Sequence, residues 1–343
     1  MSRPVYPFTA IVGQEAMKEA LLLNTVNPLI GGVVIRGEKG TAKSTAVRAL
    51  ADLLPERSVV KGCPFGCEFG GKELCPDCRS RLEQGALEEA SAPMRVVELP
   101  LSSTEDRVAG TLDIESAIST GKKRFEPGVL AKANGNILYV DEVNLLDDHI
   151  VDLLLDAAAM GVNYVEREGI SYSHPSRFIL VGTMNPEEGD LRPQLLDRFG
   201  LAVDVKAERD EDLRTEIVMR RMEFEKDPEG FAEEYAEQQE AVRRRISDAR
   251  SLVRGIEPGP DVVRAAVKIP LHLGVDGHRA DVTLVKSAAA YAALQGREEV
   301  SVSDVVHVTH LAMPHRMRRR PFQESALDGE ELDSWMRETF GTG

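Results

Sequence analysis

Residues 33–45 organise the predicted fold of this chain: Val33-Val34-Ile35-Arg36-Gly37-Glu38-Lys39-Gly40-Thr41-Ala42-Lys43-Ser44-Thr45. The β-branched run at 33–35 predicts a buried parallel strand. The glycines then predict a loop, and the apolar periodicity after Lys43 predicts a helix. A loop of this kind wraps phosphates with backbone N–H groups, and the helix N-terminus directs a positive dipole end at them. The stretch therefore predicts a nucleoside-phosphate site.

The loop, residues 37–45, matches the phosphate-binding pattern G-x-x-x-x-G-K-[ST] with one departure, because Ala42 replaces the glycine before the lysine. Alanine adds only a methyl group, so the departure concerns nucleotide affinity more than nucleotide binding. We expect Lys43 to reach the β- and γ-phosphates and the Ser44 hydroxyl to hold Mg²⁺. The residues expected to contact the nucleotide in this phosphate loop are Gly37, Gly40, Thr41, Ala42, Lys43, Ser44 and Thr45.

Composition and charge narrow the class of protein. The chain has 343 residues, 42% hydrophobic and 29% charged, which is typical of a globular protein with two domains. Its formal net charge of −15 argues against a nucleic-acid backbone as the main partner. Residues 1–4 carry no apolar targeting segment, and no apolar run reaches membrane length. We therefore expect a cytoplasmic protein without a membrane span.

A second motif follows the phosphate loop by about a hundred residues. Strand-like and helical segments alternate, which predicts a parallel sheet with both faces covered. The apolar residues 137–140 end in Asp141 and Glu142, the arrangement of a Walker-B strand. We expect Asp141 to bind Mg²⁺ and Glu142 to polarise the attacking water, although acids at such positions are also common helix caps. Together the two motifs predict ATP hydrolysis.

Three more polar residues are candidates for the same chemistry. Asn185 follows the next predicted strand, where its amide could contact the γ-phosphate or the water; Asn-Pro is also a turn signal. Arg198 could act across a subunit interface as an arginine finger, or form a surface ion pair with Asp197. Arg279 begins a predicted helix in the second domain and could reach the nucleotide from a lid.

Longer strings resemble AAA+ ATPases and, within them, the small ATPase (I) subunit of magnesium chelatase and its cobaltochelatase counterpart. The strings that carry the resemblance are 103–111, 125–134, 137–148, 165–169, 185–199 and 315–322. The expected fold class is α/β, an AAA+ P-loop αβα domain with a parallel sheet plus a C-terminal α-helical lid. We expect the nucleotide-binding domain at 1–205, a charged helical connector at 206–255 and the lid at 256–343, with hairpin insertions at about 102–128 and 160–176.

The resemblance also implies an assembly and an activity. It implies a homo-oligomeric ring, expected to be a hexamer, with ATP between protomers. The nucleotide would be served in cis by Lys43, Ser44, Asp141, Glu142 and Asn185. Arg198 would be the finger in trans, and Arg279 the sensor arginine of the lid. Hydrolysis would drive insertion of magnesium or cobalt into a tetrapyrrole carried by a large partner subunit, with a D-type subunit as a further partner.

All four cysteines of the chain lie within sixteen residues, as Cys63-x₃-Cys67-x₇-Cys75-x₂-Cys78, in a predicted insertion at 61–80. In a cytosolic chain such spacing favours a metal over disulfides. Four thiolates fit tetrahedral Zn²⁺, which we favour, or an iron–sulfur cluster, and unligated thiols are the alternative. The better-known magnesium chelatase subunits lack this cluster, so the sequence leaves open which metal is inserted.

Two other functions and one charged cluster remain open at this stage. A MoxR-like AAA+ chaperone for metalloprotein maturation is the main alternative, and the acidic balance disfavours a nucleic-acid motor. Arg316 and Arg318–Arg320 form the basic cluster near the C-terminus. We expect it to be a solvated helix end, with a docking patch as the other interpretation.

Overall fold

The computed structural model describes residues 4–113, 124–167, 170–317 and 329–341. The chain forms two compact units. The first comprises Met1–Gly13, Ile35–Asp190 and Val205–Arg243. The second comprises Gln14–Val34, Leu191–Asp204 and Arg244–Gly343. The domain boundaries expected at 205 and 255 stay a prediction.

In the first 205 residues, helices separate the strands that form the central sheet, as the sequence predicts, and further strands lie between them. The strands are β1 (Val33–Gly37), β2 (Arg57–Val60), β3 (Glu89–Ala92), β4 (Val96–Glu98), β5 (Gly110–Asp113), β6 (Arg124–Pro127), β7 (Ile137–Val140), β8 (Val162–Arg167), β9 (Ile170–Pro175), β10 (Ile179–Met184) and β11 (Leu201–Val205).

Helices occur both among the strands and throughout the C-terminal part of the chain. They are α1 (Glu15–Val26), α2 (Lys43–Leu53), α3 (Pro76–Glu83), α4 (Glu105–Ala109), α5 (Val129–Ala133), α6 (Asp148–Met160), α7 (Pro193–Leu196), α8 (Glu211–Lys226), α9 (Pro228–Glu234), α10 (Ala236–Leu252), α11 (Pro260–His272), α12 (Arg279–Leu294), α13 (Val302–Ala312) and α14 (Gly329–Phe340). No helix in the described ranges combines the length and apolar character that crossing a bilayer requires.

The central sheet has five strands in the order β11-β1-β10-β7-β4. β7 pairs in parallel with both neighbours, so that Ile137 lies opposite Ile179 of β10 and Val96 of β4. Every residue of β7 and β10 is buried, which explains their apolar sequences. Because parallel strands end at the same edge, Asp141 and Asn185 emerge side by side. The predicted parallel sheet is confirmed.

Three antiparallel strand pairs lie outside this sheet, namely β2–β3, β5–β6 and β8–β9. Hairpin A, formed by β5 and β6, lies in the stretch 102–128; residues 114–123 between its strands are outside the described ranges. Hairpin B, formed by β8 and β9, lies in the stretch 160–176; residues 168–169 are likewise outside. These are the two stretches where the resemblance placed hairpin insertions.

Helices dominate the C-terminal half. In the second unit, α12 packs against α11 and α13, and its alanines at 288–290 and 292–293 are buried. Such small side chains let helix axes approach closely. In the first unit, α8 ends at Lys226 and Pro228 opens α9, with the Asp227 carboxylate accepting the Gly230 N–H at 3.0 Å.

The base of hairpin A has no room for a side chain at Gly128. A Cβ there would lie 2.4 Å from the Val108 carbonyl oxygen and 2.5 Å from the Gly110 nitrogen. We predict that Gly128→Ala lowers the free energy of unfolding by about 2 kcal/mol, because backbone must move. The matched control is Gly255→Ala, whose Cβ would lie 3.7 Å from the nearest atom, Leu252 O. Denaturant unfolding of both variants measures the difference, and equal stabilities would contradict the prediction.

Candidate nucleotide site and metal centre

The phosphate loop joins β1 to α2, as predicted, and the ammonium of Lys43 is bound to the loop itself. Its Nζ donates hydrogen bonds to the carbonyls of Gly37 at 2.5 Å and Glu38 at 2.8 Å. The Thr41 hydroxyl donates to the same Glu38 carbonyl at 2.8 Å and so closes the loop. Burial lowers the pKa of Lys43, while the charge of Asp141 opposes this shift. The lysine and the Walker-B acid therefore interact electrostatically.

Ala42 has a left-handed backbone, with φ +63° and ψ +15°, directly before the helix that begins at Lys43. A residue with a Cβ is disfavoured in this region by about 1–2 kcal/mol, whereas glycine is not. The departure from the sequence pattern therefore changes backbone strain as well as adding a methyl group. Strain of this kind concentrates at functional sites.

The two Walker-B acids are joined by Thr183, a buried residue of β10. Its hydroxyl donates to Asp141 Oδ1 at 2.5 Å and accepts the Glu142 N–H at 3.2 Å. The Tyr139 hydroxyl donates to the same Asp141 oxygen at 2.9 Å. The Asp141 side chain is thus fixed through one oxygen, on a residue that is itself exposed. Sequence reasoning missed Thr183; its signal was a hydroxyl two residues before Asn185.

Glu142 lies close to the phosphate loop. Its φ of +54° is left-handed, the second such position at this edge of the sheet. Lys39 of the loop places its Nζ 3.2 Å from Glu142 Oε1 and 2.6 Å from Glu188 Oε1. Hydrogen bonds to Glu188 and Glu142 raise the pKa of Lys39. The two predicted motifs, far apart in sequence, are therefore in contact.

Asn185 lies at the end of β10 and is buried. Its Oδ1 accepts the Glu187 N–H at 3.2 Å and caps the short turn Pro186–Glu188. Asn185 therefore also begins a turn, as the Asn-Pro pair predicts. Its position beside the Walker-B strand is the one the sequence predicts.

Arg198 and Arg279 both belong to the second unit, where Asp197 is the common partner of two arginines. Arg279 Nη1 lies 2.9 Å from Asp197 Oδ2, and Arg316 Nε lies 3.3 Å from Asp197 Oδ1. Arg279 begins α12, as predicted. Asp197, the residue before Arg198, therefore forms an ion pair with Arg279, the predicted sensor arginine.

Arg316 was expected on a solvated helix end, and that expectation is wrong. Its side chain is fully buried and donates to the carbonyls of Phe199 at 2.7 Å, Gly200 at 3.0 Å and Asp197 at 3.1 Å. Burial lowers its pKa to about 10. A buried guanidinium is tolerated here because carbonyls and a carboxylate surround it. Arg318–Arg320 lie outside the described residues.

The four cysteines converge on one point. Their Sγ atoms all lie within 4.8 Å of one another, and those of Cys63 and Cys75 are 3.8 Å apart. Cys67, Cys75 and Cys78 are buried. The Cys75 N–H points at Cys67 Sγ at 3.2 Å, and the Cys78 N–H points at Cys75 Sγ at 3.5 Å. Backbone N–H groups directed at sulfur stabilise thiolates, which is the chemistry of a metal site.

The thiols differ in acidity because of their mutual contacts. Hydrogen bonds from Cys67 and Cys75 lower the pKa of Cys63. Burial raises the pKa of Cys78, and the hydrogen bond to Cys63 raises that of Cys67. These opposite shifts arise because the four sulfurs lie together, where each further negative charge is unfavourable unless a cation is bound.

The left-handed backbone at Ala42 leads to a prediction. We expect Ala42→Gly to raise the free energy of unfolding by about 0.5–1 kcal/mol, since relief of strain exceeds the added entropy of the unfolded chain. The control is Ala46→Gly in α2, a helical and buried position, where we expect a loss of about 1 kcal/mol or more. Denaturant unfolding without nucleotide measures both, and the same sign for both variants would contradict the interpretation.

Two family models match separate parts of the chain. Family models for an AAA domain of the dynein-related subfamily and for an AAA lid domain match residues 79–199 and 263–335. A putative ATPase from Cytophaga hutchinsonii has a TM-score of 0.62 at 16% identity over 96% of this chain and 91% of that one. It supports the AAA+ fold alone.

Similarity to three proteins extends over almost the whole chain. The magnesium-chelatase subunit ChlI homolog of Methanocaldococcus jannaschii is 57% identical over 97% of this chain and 91% of its own. ChlI of Cyanophora paradoxa is 51% identical over 94% of both chains. BchI in a cryo-EM-based structure of the BchI–BchD complex of magnesium chelatase has 48% identity and a TM-score of 0.56, covering 97% of this chain and all of that one. The chain belongs to the ChlI/BchI family of magnesium-chelatase subunits, which are AAA+ ATPases.

Proposed function

We propose that this chain hydrolyses ATP to drive insertion of magnesium or cobalt into a tetrapyrrole carried by a partner subunit. The main structural support for this proposal is the contact between the phosphate loop and the Walker-B strand end. Lys39 Nζ of the loop lies 3.2 Å from Glu142 Oε1. Magnesium-chelatase subunits that are 50–57% identical support the choice of reaction. This identity does not favour the MoxR-like chaperone.

The residues of the site divide the work of phosphoryl transfer. Backbone N–H groups of the phosphate loop and Lys43 bind the β- and γ-phosphates. Ser44 and Asp141 bind the Mg²⁺ of MgATP, and Asp141 is held for this by Thr183 and Tyr139. Glu142 orients and polarises the attacking water, and Asn185 contacts the water or the γ-phosphate.

Lys39 links nucleotide binding to the availability of the Glu142 carboxylate for water. In the described structure its ammonium is shared between Glu142 and Glu188. Phosphate oxygens entering the loop compete for this ammonium, because they concentrate more negative charge than one carboxylate. Glu142 is then released to accept a hydrogen bond from water. Lys39 is largely exposed, so its movement meets little steric resistance.

The arginines complete the site in a homo-oligomeric ring, for which we propose a hexamer. Arg198 enters from a neighbouring protomer as the finger, and Arg279 acts as the sensor arginine of the lid. Arg316 holds the carbonyls on both sides of Arg198, at Asp197 and Phe199. The partners are a D-type subunit and a large tetrapyrrole-binding subunit, the ring works in the cytoplasm, and no nucleic acid takes part.

We further propose that the cysteines hold Zn²⁺. A tetrahedral zinc with Zn–S bonds of 2.3 Å places its sulfurs about 3.8 Å apart. The Cys63–Cys75 separation of 3.8 Å and the 4.8 Å limit for all pairs fit one ion. An iron–sulfur cluster inserts irons and sulfides between the thiolates and needs wider separations. The ion would cross-link the insertion without taking part in ATP hydrolysis.

The role of Glu142 is testable by removing its charge. We predict that Glu142→Gln lowers the steady-state ATPase rate at least about a hundredfold, because the amide cannot polarise water. ATP affinity should change less than about threefold, since the phosphate loop is intact. Glu187→Gln, an exposed acid close to the same edge, should retain the wild-type rate. Full turnover in Glu142→Gln would sink the assignment.

The metal is testable by elemental analysis of the purified full-length protein. We predict about one zinc per chain and no visible colour, and loss of that zinc in Cys67→Ser, whose sulfur is buried among the other ligands. Iron with sulfide and a brown chromophore would replace zinc by a cluster. Protein without any bound metal would mean that the thiols are unligated.

A further inference from the structure

One side chain of the cysteine knuckle, residues 63–78, contacts aromatic rings of both hairpins. Phe65 lies between the first two cysteines and is only 3% exposed. Its ring centroid lies 6.0 Å from that of Phe125 in hairpin A. It lies 5.8 Å from that of Tyr172 and 4.8 Å from that of His174, both in hairpin B. A residue of the knuckle is thus the common neighbour of two separate hairpins.

The two hairpins also contact each other at this point. The rings of Phe125 and Tyr172 are stacked, with centroids 4.3 Å apart and planes inclined by 9°. Aromatic pairs of this kind stabilise a contact beyond the area they bury. Phe65 belongs to the same buried cluster as Cys67, Cys75 and Cys78, and both rings of the pair pack against this cluster.

A polar network fixes the same contact. The Asn163 side-chain amide in β8 donates to the Ala109 carbonyl at 2.8 Å and to His174 Nε2 at 3.0 Å. His174 Nδ1 donates to the Pro175 carbonyl at 2.9 Å, which assigns Nε2 as the acceptor. Burial lowers the pKa of His174, so the ring is neutral, as this pattern requires. The network therefore joins hairpin B to Ala109, the residue directly before β5 of hairpin A.

The knuckle is tied to the central sheet by Asn134. The Asn134 side chain donates to the carbonyls of Phe65 at 2.9 Å and Gly66 at 3.3 Å, and its Oδ1 accepts the Arg177 N–H at 3.0 Å. Asn134 precedes β7 and Arg177 precedes β10, the strands whose other ends carry the Walker-B acids and Asn185. The knuckle thus bridges the hairpins and the base of the ATPase sheet.

Backbone hydrogen bonds tie the knuckle to β2, from the Val60 N–H to the Cys67 carbonyl at 2.8 Å and from the Phe69 N–H to the Ser58 carbonyl at 3.2 Å. Between Cys63 and Cys75 the described chain has no helix or named strand, only turns and a bridge from Glu68 to Val59. Gly62, Gly66 and Gly70 all have positive φ. Four metal–sulfur bonds would add a cross-link to this segment of turns.

We propose that the metal-loaded knuckle is the anchor that fixes hairpins A and B on the ATPase sheet, with Phe65 as the positioning residue. The inference rests on the metal proposed above. It gives the cysteine insertion a role in this chain: loading the ion orders Phe65, and Phe65 orders the aromatic stack that joins the hairpins. Loss of the ion loosens both hairpins and leaves the phosphate loop and Walker-B strand folded.

Hydrogen–deuterium exchange on the full-length zinc-loaded protein tests this. We expect Phe65→Leu to keep about one zinc per chain while amides of β5, β6, β8 and β9 exchange about tenfold faster, since the ring contacts are lost. The matched control is Phe69→Leu. Phe69 packs on the same cluster, and among the described residues no ring–ring contact joins it to either hairpin. In Phe69→Leu, the amides of both hairpins should exchange at the wild-type rate.

Removal of zinc by a chelator from the wild-type protein should reproduce the Phe65→Leu pattern, with exchange in β7 and β10 unchanged. Unchanged hairpin exchange after zinc loss, or in Phe65→Leu, would overturn the anchor while leaving the zinc site intact. Wild-type protein without zinc would overturn the metal and its anchoring role together. Neither result touches the proposed ATPase activity, which the Glu142→Gln assay tests separately.

Discussion

The hydroxyl of Thr183 lies between the two acids of the Walker-B strand, and the candidate site depends on this interaction. It donates to Asp141 and accepts from the backbone of Glu142, so one buried group positions both the proposed metal ligand and the proposed general base. This requires β10 to lie beside β7 in parallel and in register, with Gly182 opposite Val140. The apolar core of the sheet supplies that register, because both strands are buried along their whole length.

Backbone strain lies at the same edge of the sheet. Ala42 and Glu142 are two of the three described non-glycine residues with positive φ, and they belong to the two motifs that would share one MgATP. Neither conformation is favoured locally, so the surrounding structure enforces both. The ion pair of Lys39 with Glu142 adds a charge contact that incoming phosphate can exchange. In the mechanism proposed above, nucleotide binding changes these contacts of Lys39.

In the second unit, one carboxylate and one buried guanidinium each hold several groups. Asp197 receives Arg279 and Arg316, and Arg316 also satisfies the backbone carbonyls that flank Arg198. A buried guanidinium with this many acceptors is stable, and its removal would leave carbonyls without donors. The cysteine knuckle is the corresponding device in the first unit, where Asn134 and Phe65 connect an insertion to the sheet and the hairpins. The contacts of Arg316 and those of Asn134 and Phe65 both position chain segments that lie largely outside helices and strands.

The resemblance of longer strings to AAA+ ATPases implied the fold class, and the sequence by itself predicted the parallel α/β sheet, the phosphate loop, the Walker-B acids and the metal-binding spacing of the four cysteines. Each is encoded by residues close together in the chain, where strand periodicity, glycine spacing and cysteine spacing act locally. Tertiary structure decided the rest. Thr183 became part of the site only through strand pairing, Ala42 proved strained only through its φ, and Arg316 was buried although its neighbours in sequence suggested solvent. Phe65 gained its contacts from segments 60 and more than 100 residues away. Burial and long-range partners are properties of the folded chain, and no local pattern records them.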